Sequence, residues 1–203
     1  MKKILFVLAP LAVAASIAFN TGEPLPVGSP MPLADHRMMD VKTGDNTTMR
    51  QQAKENGLLV MFSCNTCPYV IKNQERTISA AEFAAKNNIG VVLVNSNEAQ
   101  RADADSYEAM KEYANGQRYQ WSYVVDGKSA VADAFGANRT PECFLFDKNL
   151  KLVYRGAIDD NPSDGSAVTR KHLKEAMAEL SAGKDISVKE SRSVGCSIKR
   201  TKQ

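Results

Sequence analysis

Two cysteines separated by two residues are the feature of this sequence with the clearest chemistry. Cys64 and Cys67 follow the apolar run 58–62 and precede Pro68, a residue type that favours the first turn of a helix. Thiols at this spacing close a small ring and reopen it by exchange, in which a thiolate is the attacking species. Because the amides and dipole at a helix start stabilise a thiolate, the sequence predicts redox chemistry. Cys64 is expected to be the more exposed, attacking thiol, and Cys67 the resolving thiol.

Two other interpretations of the cysteines are weaker. A purely structural Cys64–Cys67 disulfide closes a ring of four residues, which removes little entropy from the unfolded chain. A zinc site built from Cys64, Cys67, Cys143 and Cys196 has four thiolates but lacks the usual second closely spaced pair. We therefore expect no metal and no cofactor.

The N-terminal segment has the pattern of a secretory signal peptide. Lys2 and Lys3 precede the apolar stretch 4–15, and small residues at Ser16 and Ala18 form a cleavage pattern. This stretch is shorter than the roughly 20 residues of a transmembrane helix, although an uncleaved anchor remains the alternative. We predict a signal peptide at 1–18, a periplasmic or secreted mature protein in a disulfide-permitting compartment, and no stable membrane insertion after cleavage.

The charge pattern does not indicate nucleic-acid binding. The net charge is +3, and loss of Lys2 and Lys3 lowers it to +1. Segment 184–203 holds six basic and two acidic residues. We expect a basic tail that is solvated or packed on the surface, and no nucleic-acid partner.

Hydrophobic periodicity predicts one α/β domain at 34–183, between an extended Pro-rich arm at 19–33 and the tail. Predicted elements are strands at 58–62, 89–94 and 121–125, helices at 68–86, 129–135 and 166–183, and a hairpin at 142–155. Asp105 and Glu108 form a candidate capping box. This alternation predicts a mixed sheet between helices, with the reactive turn at the carboxyl end of a central strand.

Five segments together resemble the thioredoxin superfamily, and more closely bacterial thioredoxin-like proteins related to the peroxiredoxin and alkyl hydroperoxide reductase group. They are 62–70, which contains the CxxC, 95–97 (Asn-Ser-Asn), 140–142 (Thr-Pro-Glu), 144–147 and 195–199 (Gly-Cys-Ser-Ile-Lys). The resemblance implies a thioredoxin-like fold. It also implies that Thr140 and Pro141 form a cis-proline loop beside the sulfurs, where the backbone pairs with an extended substrate.

A peroxidase is the main alternative activity. Peroxiredoxins resemble this chain in fold and place a proline, then a threonine three residues before the reactive cysteine. Those positions are Gly57 and Met61 when counted from Cys64, and Val60 and Cys64 when counted from Cys67, so neither frame matches. A redox-inert binding module on the same fold is a further alternative.

The other two cysteines are assigned by context. Cys143 lies within an apolar strand and is expected to be a buried small hydrophobe. Cys196 lies in the tail and is a candidate for a second disulfide with Cys143 if the tail packs over that strand. We predict a thiol–disulfide oxidoreductase that acts on protein thiols or disulfides, with an unidentified electron donor or acceptor. The direction of electron flow stays open.

Overall fold

The structure is a computed structural model that describes residues 23–201. The predicted signal peptide at 1–18 lies outside the described residues. The strands are β1 (Met38–Asp40), β2 (Asn46–Thr47), β3 (Leu58–Phe62), β4 (Gly90–Asn95), β5 (Ser122–Val125), β6 (Arg139–Thr140), β7 (Glu142–Phe146), β8 (Leu152–Gly156) and β9 (Cys196–Ser197). The helices are α1 (Met49–Gln52), α2 (Pro68–Lys72), α3 (Gln74–Lys86), α4 (Tyr107–Gly116), α5 (Ala130–Phe135) and α6 (His172–Ser181), with 3-10 turns at Glu98–Gln100, Gly127–Ser129 and Gly165–Ala167.

A seven-stranded mixed sheet, in the order β2-β1-β5-β4-β3-β7-β8, forms the centre of the molecule. Strand β3 pairs in parallel with β4 and antiparallel with β7, and β4 continues in parallel to β5. Strands β6 and β9 form a separate antiparallel pair. The predicted mixed sheet and its closing hairpin, β7–β8, are confirmed.

Strand β3 is buried on both faces, as its unbroken apolar run predicts. Leu59 and Met61 pack with α3, α4 and α6 on one face, whereas Val60 and Phe62 pack with α1 and α5 on the other. Burial of each such side chain contributes about 1.5–3 kcal/mol. The reactive turn therefore starts from a strand that is buried along its whole length.

The predicted helix over 68–86 is two helices, separated at Asn73. The Asn73 amide donates to the carbonyl oxygens of Tyr69 at 2.7 Å and Pro162 at 3.0 Å, so this side chain competes with helical backbone bonding. Before the break, the apolar side chain of Ile71 in α2 is 55% exposed rather than packed in the core. Residues after the break pack through small side chains such as Ala80 and Ala84.

The start of α4 lies one residue later than the sequence predicts. Ser106 caps α4 by accepting from the Ala109 amide at 3.3 Å, so the capping box assigned to Asp105 is wrong and Asp105 turns inward. The tail packs on the surface, where Arg155 of β8 bonds to the backbone of Lys189 and Ser191. Among residues 23–201, every helix is too short or too polar to cross a bilayer.

An ion pair between Arg76 and Asp159 joins α3 to the loop after β8. The atoms lie 2.7 Å apart, and the side chains are 19% and 3% exposed. Asp159→Ala leaves the guanidinium partly buried without its counter-charge, so we expect a loss of about 3 kcal/mol in the free energy of unfolding, measured by urea denaturation. Asp35→Ala, which breaks the exposed Arg50 pair, is the matched control and should leave stability unchanged. Equal effects of the two substitutions would contradict this difference.

Candidate active site

The CxxC segment lies where β3 gives way to α2. The strand ends at Phe62, the chain turns through Cys64, and Cys67 is the residue that immediately precedes helix α2. Pro68 occupies the first helical position, where its missing amide hydrogen removes no helical bond. The sequence therefore places both sulfurs at the carboxyl end of an interior strand, as predicted.

Thr140 contacts both sulfurs of the CxxC. Its hydroxyl oxygen lies 3.4 Å from the Cys64 sulfur, and its carbonyl oxygen lies 3.3 Å from the Cys67 sulfur. The peptide bond from Thr140 to Pro141 is cis. The structure thus brings Cys64, Cys67, Thr140 and Pro141 into one site.

The disulfide of this site joins Cys67 to Cys196, whose Cα atoms are 6.0 Å apart, and Cys64 is an unbonded thiol. The candidate pairing of Cys196 with Cys143 is wrong in this structure. Cys143 is fully buried within β7, in register with Met61 and Gly156 on the neighbouring strands. The tail instead crosses the molecule at β6, so Cys196 meets Cys67 rather than the centre of β7.

Both CxxC residues are buried, which differs from the expectation that Cys64 is the more exposed of the two. Cys64 is 2% and Cys67 is 4% exposed, because Tyr69, Val70 and Cys196 pack against them. The two cysteines therefore differ in bonding state rather than in access to solvent.

Burial raises the pKa of the Cys64 thiol above its ordinary value. The Thr140 hydroxyl acts in the opposite direction, the Asp105 carboxylate raises the pKa further, and the backbone amides of Thr66 and Cys67 lower it. Burial outweighs the amides of the turn, so the stabilised thiolate predicted from the helix start is not obtained.

A buried polar network holds the CxxC turn in place from the interior side. The Asp105 carboxylate is fully buried and accepts from the Asn65 backbone amide at 2.9 Å and from the Asn95 side chain at 2.7 Å. The Tyr123 hydroxyl donates to the Asn65 side-chain oxygen at 2.9 Å. Burial raises the pKa of Tyr123 well above its usual value, which keeps it a donor. The residue after Cys64 is thereby held at both its backbone and its side chain.

Sequence reasoning missed most of this network. The spacing of the Asn-Ser-Asn run at 95–97 does not indicate a function, and Tyr123 is an ordinary residue type for a strand. In the structure, the Asn97 side chain also donates to Asp105, at 2.8 Å. The available signal was three consecutive polar residues directly after a buried strand, at the edge where the site lies. Asn97 also accepts from the Lys199 amide at 2.8 Å, which links the motif to the tail.

The four cysteines do not form a metal centre in the described part of the chain. No group of three or more His, Cys, Asp or Glu side chains there is arranged to hold a metal ion. Cys143 is packed in the sheet core, apart from the small cluster that contains Cys64, Cys67 and Cys196.

Comparison with known proteins gives a consistent family. The model of the Redoxin family matches residues 23–173, and no curated protein matches. A solved structure of an uncharacterized conserved protein from Geobacillus kaustophilus is 32% identical, with a TM-score of 0.81 over 88% of this chain and 94% of that one. A hypothetical protein from Sinorhizobium meliloti is 31% identical, with a TM-score of 0.80 over 89% and 98%.

A more distant match extends the fold relationship. The PrxQ protein of Xylella fastidiosa, solved as a cysteine-to-serine mutant, is 17% identical, with a TM-score of 0.58 over 80% of this chain and 99% of that one. At this identity the likeness concerns the fold alone. The thioredoxin-like fold that the sequence segments imply is confirmed.

The hydroxyl of Thr140 should lower the pKa of Cys64 against the larger, opposite effect of burial. Thr140→Val removes a donor to the thiolate, so the pKa of Cys64 should rise further and its alkylation by iodoacetamide at fixed pH should slow about three- to tenfold. The measurement is the pH profile of Cys64 alkylation in protein that keeps the Cys67–Cys196 disulfide, followed by mass spectrometry. The wild-type midpoint should lie above that of an ordinary cysteine.

Thr140→Ser is the matched control, because it keeps the hydroxyl and removes only a methyl group. It should reproduce the wild-type profile. A Thr140→Val profile that coincides with the wild-type profile would show that the hydroxyl does not bond to the thiolate.

Proposed function

The chain belongs to the Redoxin family, and we propose that it is an exported thiol–disulfide oxidoreductase that exchanges disulfides through Cys64 and Cys67. Its substrates are protein thiols or disulfides, and a separate redox partner supplies or removes electrons. The membership supports a thiol-based oxidoreductase in general, and the geometry of the site supports this particular activity.

The observation that carries the proposal is the position of Thr140. Its hydroxyl lies beside one CxxC sulfur, its carbonyl lies beside the other, and its backbone belongs to the short strand β6. An extended segment that pairs with β6 therefore places its own cysteine against the two reactive sulfurs. Thr140 would thus both bind the substrate backbone and contact the reacting sulfurs.

The reaction consists of two exchange steps in the reducing direction. The Cys64 thiolate, accepting from the Thr140 hydroxyl, attacks one sulfur of the substrate disulfide and expels the other as a thiolate. The Cys67 thiolate then attacks Cys64, which closes the Cys64–Cys67 disulfide and releases the second substrate thiolate. The reverse sequence oxidises a substrate dithiol, and the potential of the pair decides which direction prevails.

The site favours disulfide exchange over peroxide reduction. The residue three positions before Cys64 is Met61, a fully buried apolar side chain on β3 that packs into the sheet core. It has no hydroxyl to orient a peroxide.

Export is the part of the proposal that rests on the N-terminal pattern. A basic start, an apolar stretch and small residues before position 19 are typical of a cleaved signal peptide. Protein recovered from the source cells should begin near Phe19, as read by N-terminal sequencing. An intact Met1 in cell-free culture medium or periplasmic extract would contradict cleavage.

The activity is tested by reduction of insulin disulfides with dithiothreitol, in which a competent protein accelerates precipitation of the insulin chains. We expect Cys64→Ser to fall to the uncatalysed rate, because the attacking sulfur is lost, and Cys67→Ser to stall as a mixed disulfide. Cys143→Ser is the matched control, because it changes a cysteine in the sheet core, and it should keep most of the wild-type rate.

The same proteins distinguish the alternatives. Hydroperoxide consumption coupled to a thiol donor, without insulin reduction, would identify a peroxidase. Wild-type protein that fails in both assays would indicate a redox-inert module.

A further inference from the structure

The C-terminal tail covers the strand where a substrate would pair. Strand β9 runs antiparallel to β6, with Cys196 opposite Thr140 and Ser197 opposite Arg139. The edge proposed to receive an extended substrate is therefore already occupied by a cysteine-containing segment of the same chain. Its cysteine forms a disulfide with Cys67.

Several contacts besides the disulfide hold the tail in place. Ile198 is 6% exposed and packs into the core on the α5 face of the sheet. The Lys199 amide donates to the Asn97 side-chain oxygen at 2.8 Å, and Arg200 pairs with Asp133 at 2.7 Å. Because these contacts lie beyond Cys196 in the chain, they bring its sulfur to Cys67 when the tail docks.

The backbone of Gly195 passes close to Thr140, which places Cys196 beside Cys67. A Cβ atom on Gly195 would overlap the carbonyl oxygen of Thr140, so only glycine allows the tail to pass at this distance. The residue before Cys196 thus lies directly on the group that contacts the Cys67 sulfur. Each conspicuous residue of the tail motif at 195–199 therefore has a structural role: Gly195 allows the close approach, Cys196 forms the disulfide, and Ile198 and Lys199 hold the tail.

We propose that Cys196 is a third exchange cysteine, which takes over the disulfide from the Cys64–Cys67 pair and closes the tail over β6. This inference rests on the proposed exchange function and extends it. A free tail would leave the β6 edge open to substrate, and a bonded tail keeps the edge covered. The molecule described here is the closed form.

The closing step is an internal exchange that conserves atoms and electrons. Starting from the Cys64–Cys67 disulfide, the Cys196 thiolate attacks the Cys67 sulfur; the Cys67–Cys196 bond forms and the Cys64–Cys67 bond breaks. The electron pair leaves on the Cys64 sulfur, next to the Thr140 hydroxyl, and Cys64 takes up a proton equivalent to the one lost by Cys196. One disulfide and one thiol exist before and after, so no external oxidant or reductant is consumed. Attack of Cys64 on Cys67 reverses the step.

The closed form also explains the state of Cys64. Its thiol is buried under Tyr69, Val70 and Cys196, and burial raises its pKa. Both features depend in part on the docked tail. Reopening therefore starts from a protonated, covered thiol, which makes closure the resting arrangement of the oxidised protein.

The test is disulfide mapping by mass spectrometry after equilibration of the protein across a series of glutathione poises, with free thiols blocked by acid quenching and alkylation. In the wild type we expect the Cys67–Cys196 bond to predominate, with Cys64 alkylated, and to be reduced reversibly. In Cys196→Ser the bond should be Cys64–Cys67. Because Cys196 competes favourably for Cys67, the wild type should oxidise at least tenfold more readily, which corresponds to a shift of about 30 mV.

Two further variants isolate the role of the tail. Cys143→Ser should reproduce the wild-type map and midpoint. Gly195→Ala keeps every cysteine but displaces the tail from Thr140, so the share of Cys67–Cys196 should fall and that of Cys64–Cys67 should rise.

The outcomes separate the two proposals. A wild-type map with Cys64–Cys67 and alkylated Cys196, at an unshifted midpoint, overturns the role of Cys196 and leaves the exchange function intact. A Cys67–Cys196 bond that is not reduced at any poise, while Cys196→Ser oxidises reversibly, also overturns the role of Cys196 as an exchange cysteine. Failure of Cys196→Ser to form a reversible Cys64–Cys67 bond overturns the exchange function itself.

Discussion

The contact of one residue with three cysteines organises the site. The Thr140 hydroxyl contacts the Cys64 sulfur, and its carbonyl oxygen contacts the Cys67 sulfur. In the β6–β9 pair, Thr140 lies opposite Cys196. Its position is fixed because strand β7, which follows the cis bond to Pro141, pairs with β3, the strand that leads into Cys64. The two halves of the site are therefore neighbours in one sheet, and the tail reaches them from outside that sheet.

The buried network behind the turn has a complementary role. A fully buried carboxylate is costly unless its oxygens are bonded, and Asp105 accepts from Asn65, Asn95 and Asn97. These bonds make the turn rigid on its inner side, while Asn97 also holds the tail on the outer side. Burial is the main cause of the raised pKa of Cys64, and the Asp105 carboxylate that orders the turn raises this pKa further.

The sheet and the location of the reactive turn were predictable from the sequence, because uninterrupted apolar runs such as 58–62 and 89–94 are determined by burial on two faces. Details set by single side chains were not. The break at Asn73 depends on bonds to residues far along the chain, and the partner of Cys196 depends on where the tail crosses. The spacing of Asp105 and Glu108 suggests a helix cap. Spacing alone cannot show whether the Asp105 carboxylate caps the helix or turns into the interior. Long-range contacts, rather than local propensity, account for each of these differences.

Placement of Cys143 has a consequence for how the chain matures. An oxidising compartment pairs any cysteines that meet during folding, and four thiols offer several incorrect combinations. Once β7 joins the sheet, Cys143 is fully buried and burial raises its pKa, so it is neither accessible nor a ready nucleophile. Assembly of the sheet thus removes one thiol from exchange and leaves Cys64, Cys67 and Cys196 as the three cysteines that meet at one site.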